Sequence, residues 1–311
     1  MWTIFCCILI LSFSDISCLQ DLSEFTLEDH TVDINAEDEI SSECGVISEP
    51  TGLIQGGNYS QRNEFPWMAI ISVESHRIKS HKGSGSLISK RHVIAKARAV
   101  STLENSRQWK PVSTKHVEIY LGTRKFADLS AEGSMKVGVS KIQNYPNARK
   151  VSISFSIFNF AVLTLDQDIT FNDFIRPICL WNFDADFEKE IIGKTTYAVG
   201  YGVDETGAIS LKRKHVSTTI TDDATCKYEY NTELEQGAES KFFCILGTDN
   251  NNDGPCHYDS QLYIKVQSTW YLKGIMCSAR MYFGFKICAV SYPILVEDIS
   301  PYVEWINKEI K

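Results

Sequence analysis

From Leu53 onward the chain consists of short apolar runs separated by clusters of Gly, Asn, Asp and Ser. Examples are Met68 to Val73, Gly85 to Ile88, Val117 to Leu121, Phe160 to Leu165 and Thr196 to Gly200. Runs of this length with frequent turn residues predict an all-β body, a sandwich or a pair of barrels. A 3.6-residue period appears only near the end, where Ile299, Val303, Ile306 and Ile310 would line one face of a C-terminal helix. Between the two halves of the pattern, Asp166 to Phe183, with Pro177 and Trp181, is expected to be a connection. No fixed-period repeat interrupts this arrangement, and Asn250 to Asn252 with Asp253 is a polar loop. A different kind of run, Ile4 to Phe13, is too short for a bilayer-spanning helix of roughly 20 residues. It has the character of a signal-peptide core cut near Cys18, although only the α-amino group supplies the positive n-region. The expected organisation is therefore 1–18 signal peptide, 19–52 acidic leader and 53–311 folded domain. The mature chain is expected to be secreted, with no membrane span.

Composition narrows the partners. Of 311 residues, 43% are hydrophobic and 23% charged, which excludes a disordered or fibrous main state. The net charge of −8 is unevenly spread, because Met1 to Gln61 contains 11 acidic residues and no Lys or Arg. The rest holds 28 acidic and 31 basic residues, about +3. Neither part offers the single-sign basic field that follows a phosphate backbone, so nucleic acid is not expected as a partner. Of ten cysteines, Cys6, Cys7 and Cys18 precede or adjoin the expected cut, leaving seven. An odd number in an oxidising compartment leaves one thiol over, unbridged or bonded to another chain.

Eight short motifs then occur in a recognisable order: Ile54-Gln55-Gly56-Gly57, Glu64-Phe65-Pro66-Trp67, Gly85-Ser86-Leu87-Ile88-Ser89, Ala161-Val162-Leu163, Arg176-Pro177-Ile178-Cys179-Leu180, Gly200-Tyr201-Gly202, Gly254-Pro255-Cys256 and Tyr302-Val303-Glu304-Trp305-Ile306. Over roughly residues 44 to 311 the chain resembles the trypsin-like (chymotrypsin-like, S1) serine proteases, and among them the secreted insect proteases of the gastrulation-defective type. The resemblance implies two antiparallel β-barrels, one from about Ile54 to Asp166 and the other from about Ile178 to Asp298, with a cleft between them.

Catalysis on that fold needs a Ser nucleophile, a His base, an Asp that orients the base, and N–H donors for the oxyanion. By motif, the His position falls in Ala95-Lys96-Ala97-Arg98-Ala99 and is held by Arg98, whose guanidinium stays protonated and accepts no proton. The Asp position is the neutral Asn159. The nucleophile motif reads Cys256-His257-Tyr258-Asp259-Ser260-Gln261-Leu262, so Ser260 is retained. Tyr258 replaces the oxyanion-hole glycine, and Gln261 and Leu262 replace two further glycines. Loss of the base alone costs on the order of a million-fold in turnover. His92, on a strand six residues before Arg98, and His257 are not read as substitutes. His30, His76, His81, His116 and His215 stand outside any motif. No Cys or His spacing suits zinc, and no cofactor is expected.

The same resemblance places Gly254 at the base of the specificity pocket, Cys277-Ser278-Ala279 along one wall and Ile294 at another. It implies bridges Cys44 to Cys179, Cys226 to Cys244 and Cys256 to Cys288. Cys277 is left over, as a buried unreactive thiol or as an intermolecular bridge. Asn58-Tyr59-Ser60 is a glycosylation sequon. Activation in this family pairs a newly freed N-terminal amine with the Asp before the nucleophile, here Ile54 with Asp259. The residue before Ile54 is Leu53, and no Lys or Arg precedes Arg62, so an uncut chain is expected. The leading expectation is a secreted, catalytically degenerate homologue that binds extracellular proteins, such as active serine proteases or their zymogens, in a proteolytic cascade. An active endopeptidase with a rearranged site and an adhesive or pattern-binding protein are the alternatives.

Overall fold

Strand β1 (Met68–Ser75) is buried along its first six residues, as expected of an apolar strand covered on both faces. It opens a series formed by β2 (Ile78–Ser89), β3 (His92–Lys96), β4 (Ser101–Glu104), β5 (Gln108–Pro111), β6 (Val117–Leu121), β7 (Met135–Asn144), β8 (Arg149–Lys150), β9 (Ser156–Ile157) and β10 (Phe160–Leu165). The computed structural model describes residues 44–47, 63–75, 77–123, 125, 131–152, 155–201, 212–248, 260–279 and 292–311. Six of these strands close an antiparallel barrel in the order β1-β2-β3-β10-β7-β6. Closure removes exposed strand edges and encloses Ile70, Leu87, Ile94, Ile119 and Leu163, all fully buried. Gly85 on β2 lets the backbones meet, since an added Cβ would lie 2.7 Å from the Ile94 carbonyl oxygen. The remaining four strands form a small outer sheet, β4-β5-β8-β9.

The second half supplies β11 (Cys179–Leu180), α1 (Ala185–Glu190), β12 (Thr195–Gly200), β13 (Lys214–Ile220), α2 (Asp223–Gln236), β14 (Phe242–Gly247), β15 (Gln261–Val266), β16 (Thr269–Ala279), β17 (Ile294–Asp298) and α3 (Val303–Glu309). Pairing of β16 with β17 closes β16-β15-β12-β13-β14-β17 into a second six-stranded barrel, and β11 adds to β16 in parallel. The two barrels and the C-terminal helix agree with the fold read from sequence. In β13, burial alternates residue by residue, and Thr218 meets Thr196 of β12 at 2.7 Å between hydroxyl oxygens.

Two differences from the sequence reading have physical causes. Helix α3 begins only at Val303, because Ser300–Tyr302 form a 3-10 turn with Pro301 at its start; Ile299 is buried but precedes the helix. Helix α2 gave no period because it buries only Cys226 and Tyr230. Its start signal was present: the Asp222 carboxylate accepts from the Thr225 N–H at 2.8 Å and also depresses its own pKa through that backbone bond. Disulfide Cys226–Cys244 ties α2 to β14, and Cys44–Cys179 ties the segment around Gly45 to β11. There the Gly45 N–H donates to the Pro177 carbonyl and the Gly45 carbonyl accepts from Trp270.

Candidate functional site

Direct side-chain contacts fix one barrel against the other. The Tyr263 hydroxyl lies 2.7 Å from Ser86 Oγ, and Gln261 Nε2 donates to the Ser84 carbonyl at 3.3 Å. Buried Arg213 donates to the Phe65 carbonyl at 3.0 Å and lies over the Phe65 ring. Phe65, Trp67, Tyr263 and Trp270 pack against one another, with ring centroids 5.5 to 6.2 Å apart in the contacts that join them. Gln261, at one of the expected glycine positions, is fully buried in this seam.

At the end of β3 the chain turns through a 3-10 segment, Ala97–Val100, that carries Arg98 with its side chain exposed. Asn159, just before β10, is 3% exposed and holds that turn by two bonds: Oδ1 accepts from the Arg98 N–H and the carbonyl accepts from the Ala97 N–H, each at 3.0 Å. The residues at the base and orienting positions are thus adjacent. Their contact runs through the backbone of Arg98.

Behind Asn159 lies a buried ionisable group that motif reading did not single out. Glu297 of β17 accepts from the Phe158 N–H at 2.7 Å, the Asn159 N–H at 3.3 Å and Ser240 Oγ at 2.6 Å. Those bonds hold Phe158 at a positive φ of 51°, a costly conformation for a bulky residue. Burial pushes the Glu297 carboxyl up to about 7, against the opposing pull of Ser240, the two N–H donors and Lys96. Lys96, 2% exposed at the end of β3, donates to the Met276 carbonyl across the seam. The available signal was a charged residue at the end of an apolar strand in each case, Ile94-Ala95-Lys96 and Leu295-Val296-Glu297.

Ser260, at the nucleophile position, is 0% exposed, and its carbonyl accepts from the Met276 N–H at 2.9 Å. Its side chain packs against Gly200, where an added Cβ would lie 2.4 Å from Ser260 Oγ. Of the expected pocket walls, Cys277 is buried on β16 with Sγ 3.3 Å from the Leu295 carbonyl, and Ile294 of β17 is paired with Ala279. Gly254, Tyr258, Asp259, Ile54, Asn58 and the Cys256–Cys288 pair lie outside the described residues. Among the described residues no group of three or more His, Cys, Asp or Glu side chains could hold a metal ion. No helix among them is long and apolar enough to cross a membrane.

Comparison with known proteins adds the family. The family described as Trypsin matches residues 54–306. The chain is 26% identical over 279 residues to CLIP domain-containing serine protease B9 of Anopheles gambiae, covering 87% of this chain and 66% of that protein. It is 24% identical over 277 residues to Serine protease gd of Drosophila melanogaster, covering 79% and 51%. It is 25% identical over 283 residues to Phenoloxidase-activating factor 3 of Holotrichia diomphalia, covering 87% and 75%. The chain thus spans about half to three quarters of the length of these relatives. With two closed barrels and a family match across most of its length, the chain belongs to the trypsin family of serine proteases.

Proposed function

We propose that this protein is a secreted pseudoprotease, built as a signal peptide, an acidic leader and a trypsin-like domain, that acts by binding other extracellular proteins. The observation that carries the reading is the residue at the base position. Arg98 sits in the turn that Asn159 holds, and a guanidinium takes no proton from a serine at any working pH. Burial of Ser260 behind Gly200 supports it. The names of relatives, serine proteases and a phenoloxidase-activating factor among them, favour a place in an extracellular proteolytic cascade, with active proteases or zymogens as partners. The direct test is fluorophosphonate labelling of the purified secreted chain. No labelling above the Ser260→Ala variant is expected, and stoichiometric labelling that disappears in that variant would establish the alternative, an active endopeptidase.

The activation device points the same way. Leu53 before Ile54 presents no bond to a trypsin-like activator, so the extracellular chain is expected to remain uncut there. N-terminal sequencing decides the point, because a main sequence starting Ile54-Gln55-Gly56-Gly57 would make the Ile54–Asp259 pairing available.

A further inference from the structure

The first barrel closes on itself, but the small outer sheet β4-β5-β8-β9 is open and has two ends. At one end β9 is buried, whereas at the other Thr102, Leu103 and Glu104 of β4 are exposed, Leu103 by 38%. Strand register fixes which backbone groups lie along that exposed edge. The Val112 N–H donates to the Val100 carbonyl at 2.9 Å, and the Trp109 N–H donates to the Ala148 carbonyl at 3.3 Å on the β8 side. Directly bonded pairs alternate along an antiparallel ladder. Thr102 and Glu104 therefore turn their N–H and C=O groups toward Lys110 and Gln108 of β5, while Ser101 and Leu103 turn theirs away from the sheet. Those outward groups have no backbone partner among the described residues. The Leu103 side chain shares a face with Trp109, its cross-strand neighbour, and Thr102 and Glu104 share the other face with Lys110.

We infer that the free edge of β4 receives an extended segment of a partner protein as a fifth strand, with an apolar side chain opposite Leu103 and polar side chains on either side of it. The inference rests on the reading that this protein binds and does not cut, and it names the mode of binding. An N–H and a C=O presented together at every second residue are matched by the backbone of an extended polypeptide. Strand β4, Ser-Thr-Leu-Glu, contains neither the Pro nor the Lys with which sheet edges are blunted. The edge is also continuous with the altered catalytic site, because β4 follows directly from the Ala97–Val100 turn that carries Arg98. Length decides between a segment and a second copy of the chain. A four-residue edge supplies far less than the roughly 1,200 Å² that a stable dimer buries, but it is long enough to align a single strand.

The test uses the full secreted chain and a fluorescein-labelled peptide of alternating Thr and Val with a Lys at each end, read by fluorescence anisotropy. Saturable binding is expected. In an added strand, each residue whose side chain joins Leu103 also turns its N–H toward β4. N-methylation of the Val residues is therefore expected to weaken binding about tenfold or more, and N-methylation of the Thr residues to change it less than about twofold. On the protein, Leu103→Pro removes one outward donor and no bond of the sheet, and the same loss of about tenfold or more is expected. Thr102→Ala, on the other face, is expected to leave binding within about twofold. If Leu103→Pro fails to fold, the two methylated peptides decide the matter on the parent chain. Absence of saturable binding, equal effects of the two methylations, unchanged binding by a folded Leu103→Pro chain, or self-association of the chain that the peptide disperses would each overturn the inference, the last by giving the edge to a second copy. Fluorophosphonate labelling that is lost in Ser260→Ala would overturn the binding reading itself, whatever the peptide does. An unlabelled chain that ignores the peptide would overturn the strand addition alone.

Discussion

Glu297 serves the backbone of Phe158 and Asn159, and its burial keeps it protonated to about pH 7. In the unfolded chain it would ionise at its ordinary value near 4.5. Between those values the folded state holds a proton that the unfolded state has released. Stability therefore falls as pH rises from about 4.5 to about 7, and the loss is complete above that range. Glu297→Gln removes the titration, so thermal unfolding of the variant is expected to depend less on pH across this interval than that of the parent. Parallel curves for the two proteins would show that Glu297 does not titrate there. Asn159 itself uses its N–H and Oδ1 in holding turns, and neither role needs a negative charge.

Among the elements, the second barrel depends on an ionic cluster that fastens α1 and the turn before α3 to its strands. Lys273 of β16, 1% exposed, donates to both Glu188 oxygens at 2.7 and 2.8 Å, to Asp298 at 3.0 Å and to Ser300 Oγ at 3.1 Å. Its ammonium also lies over the rings of Trp181 and Phe243. Lys241 completes the set from outside, 2.9 Å from Asp298. Burial raises the Asp298 pKa, but the two lysines and Ser300 outweigh it and hold the carboxyl below its usual value. Removing one member of a buried set strands the others, so Lys273→Met is expected to cost about 3 kcal/mol or more in denaturant unfolding. A loss under about 1 kcal/mol would mean that the cluster is fully relieved by solvent and Lys241.

For the whole molecule, the long-range cross-link is Cys44–Cys179, whose partners are 135 residues apart. Such a bridge acts mainly on the unfolded chain, and replacing both cysteines by Ser is expected to cost up to about 5 kcal/mol. The bonds of Gly45 to Pro177 and Trp270 remain available in that variant, so the barrels should still form. The check is thermal unfolding of the Cys44→Ser, Cys179→Ser protein, and an unchanged midpoint would show that the bridge contributes nothing.

The two-barrel architecture was legible in the residues because strands and turns leave local patterns, and because motif order survives where glycines and prolines constrain the backbone. The pairings Cys44–Cys179 and Cys226–Cys244, which the structure contains, could be placed by motif for the same reason. Helix α2 was hidden because a helix with two buried residues has no apolar period to detect. The enclosure of Ser260 against Gly200, the Glu297 bonds beneath Asn159 and the pairing of β5 with β8 came only from the tertiary structure. These contacts join residues 40 to 140 positions apart, and burial, hydrogen bonding and charge density at such separations depend on how the sheets close, which no local spacing records.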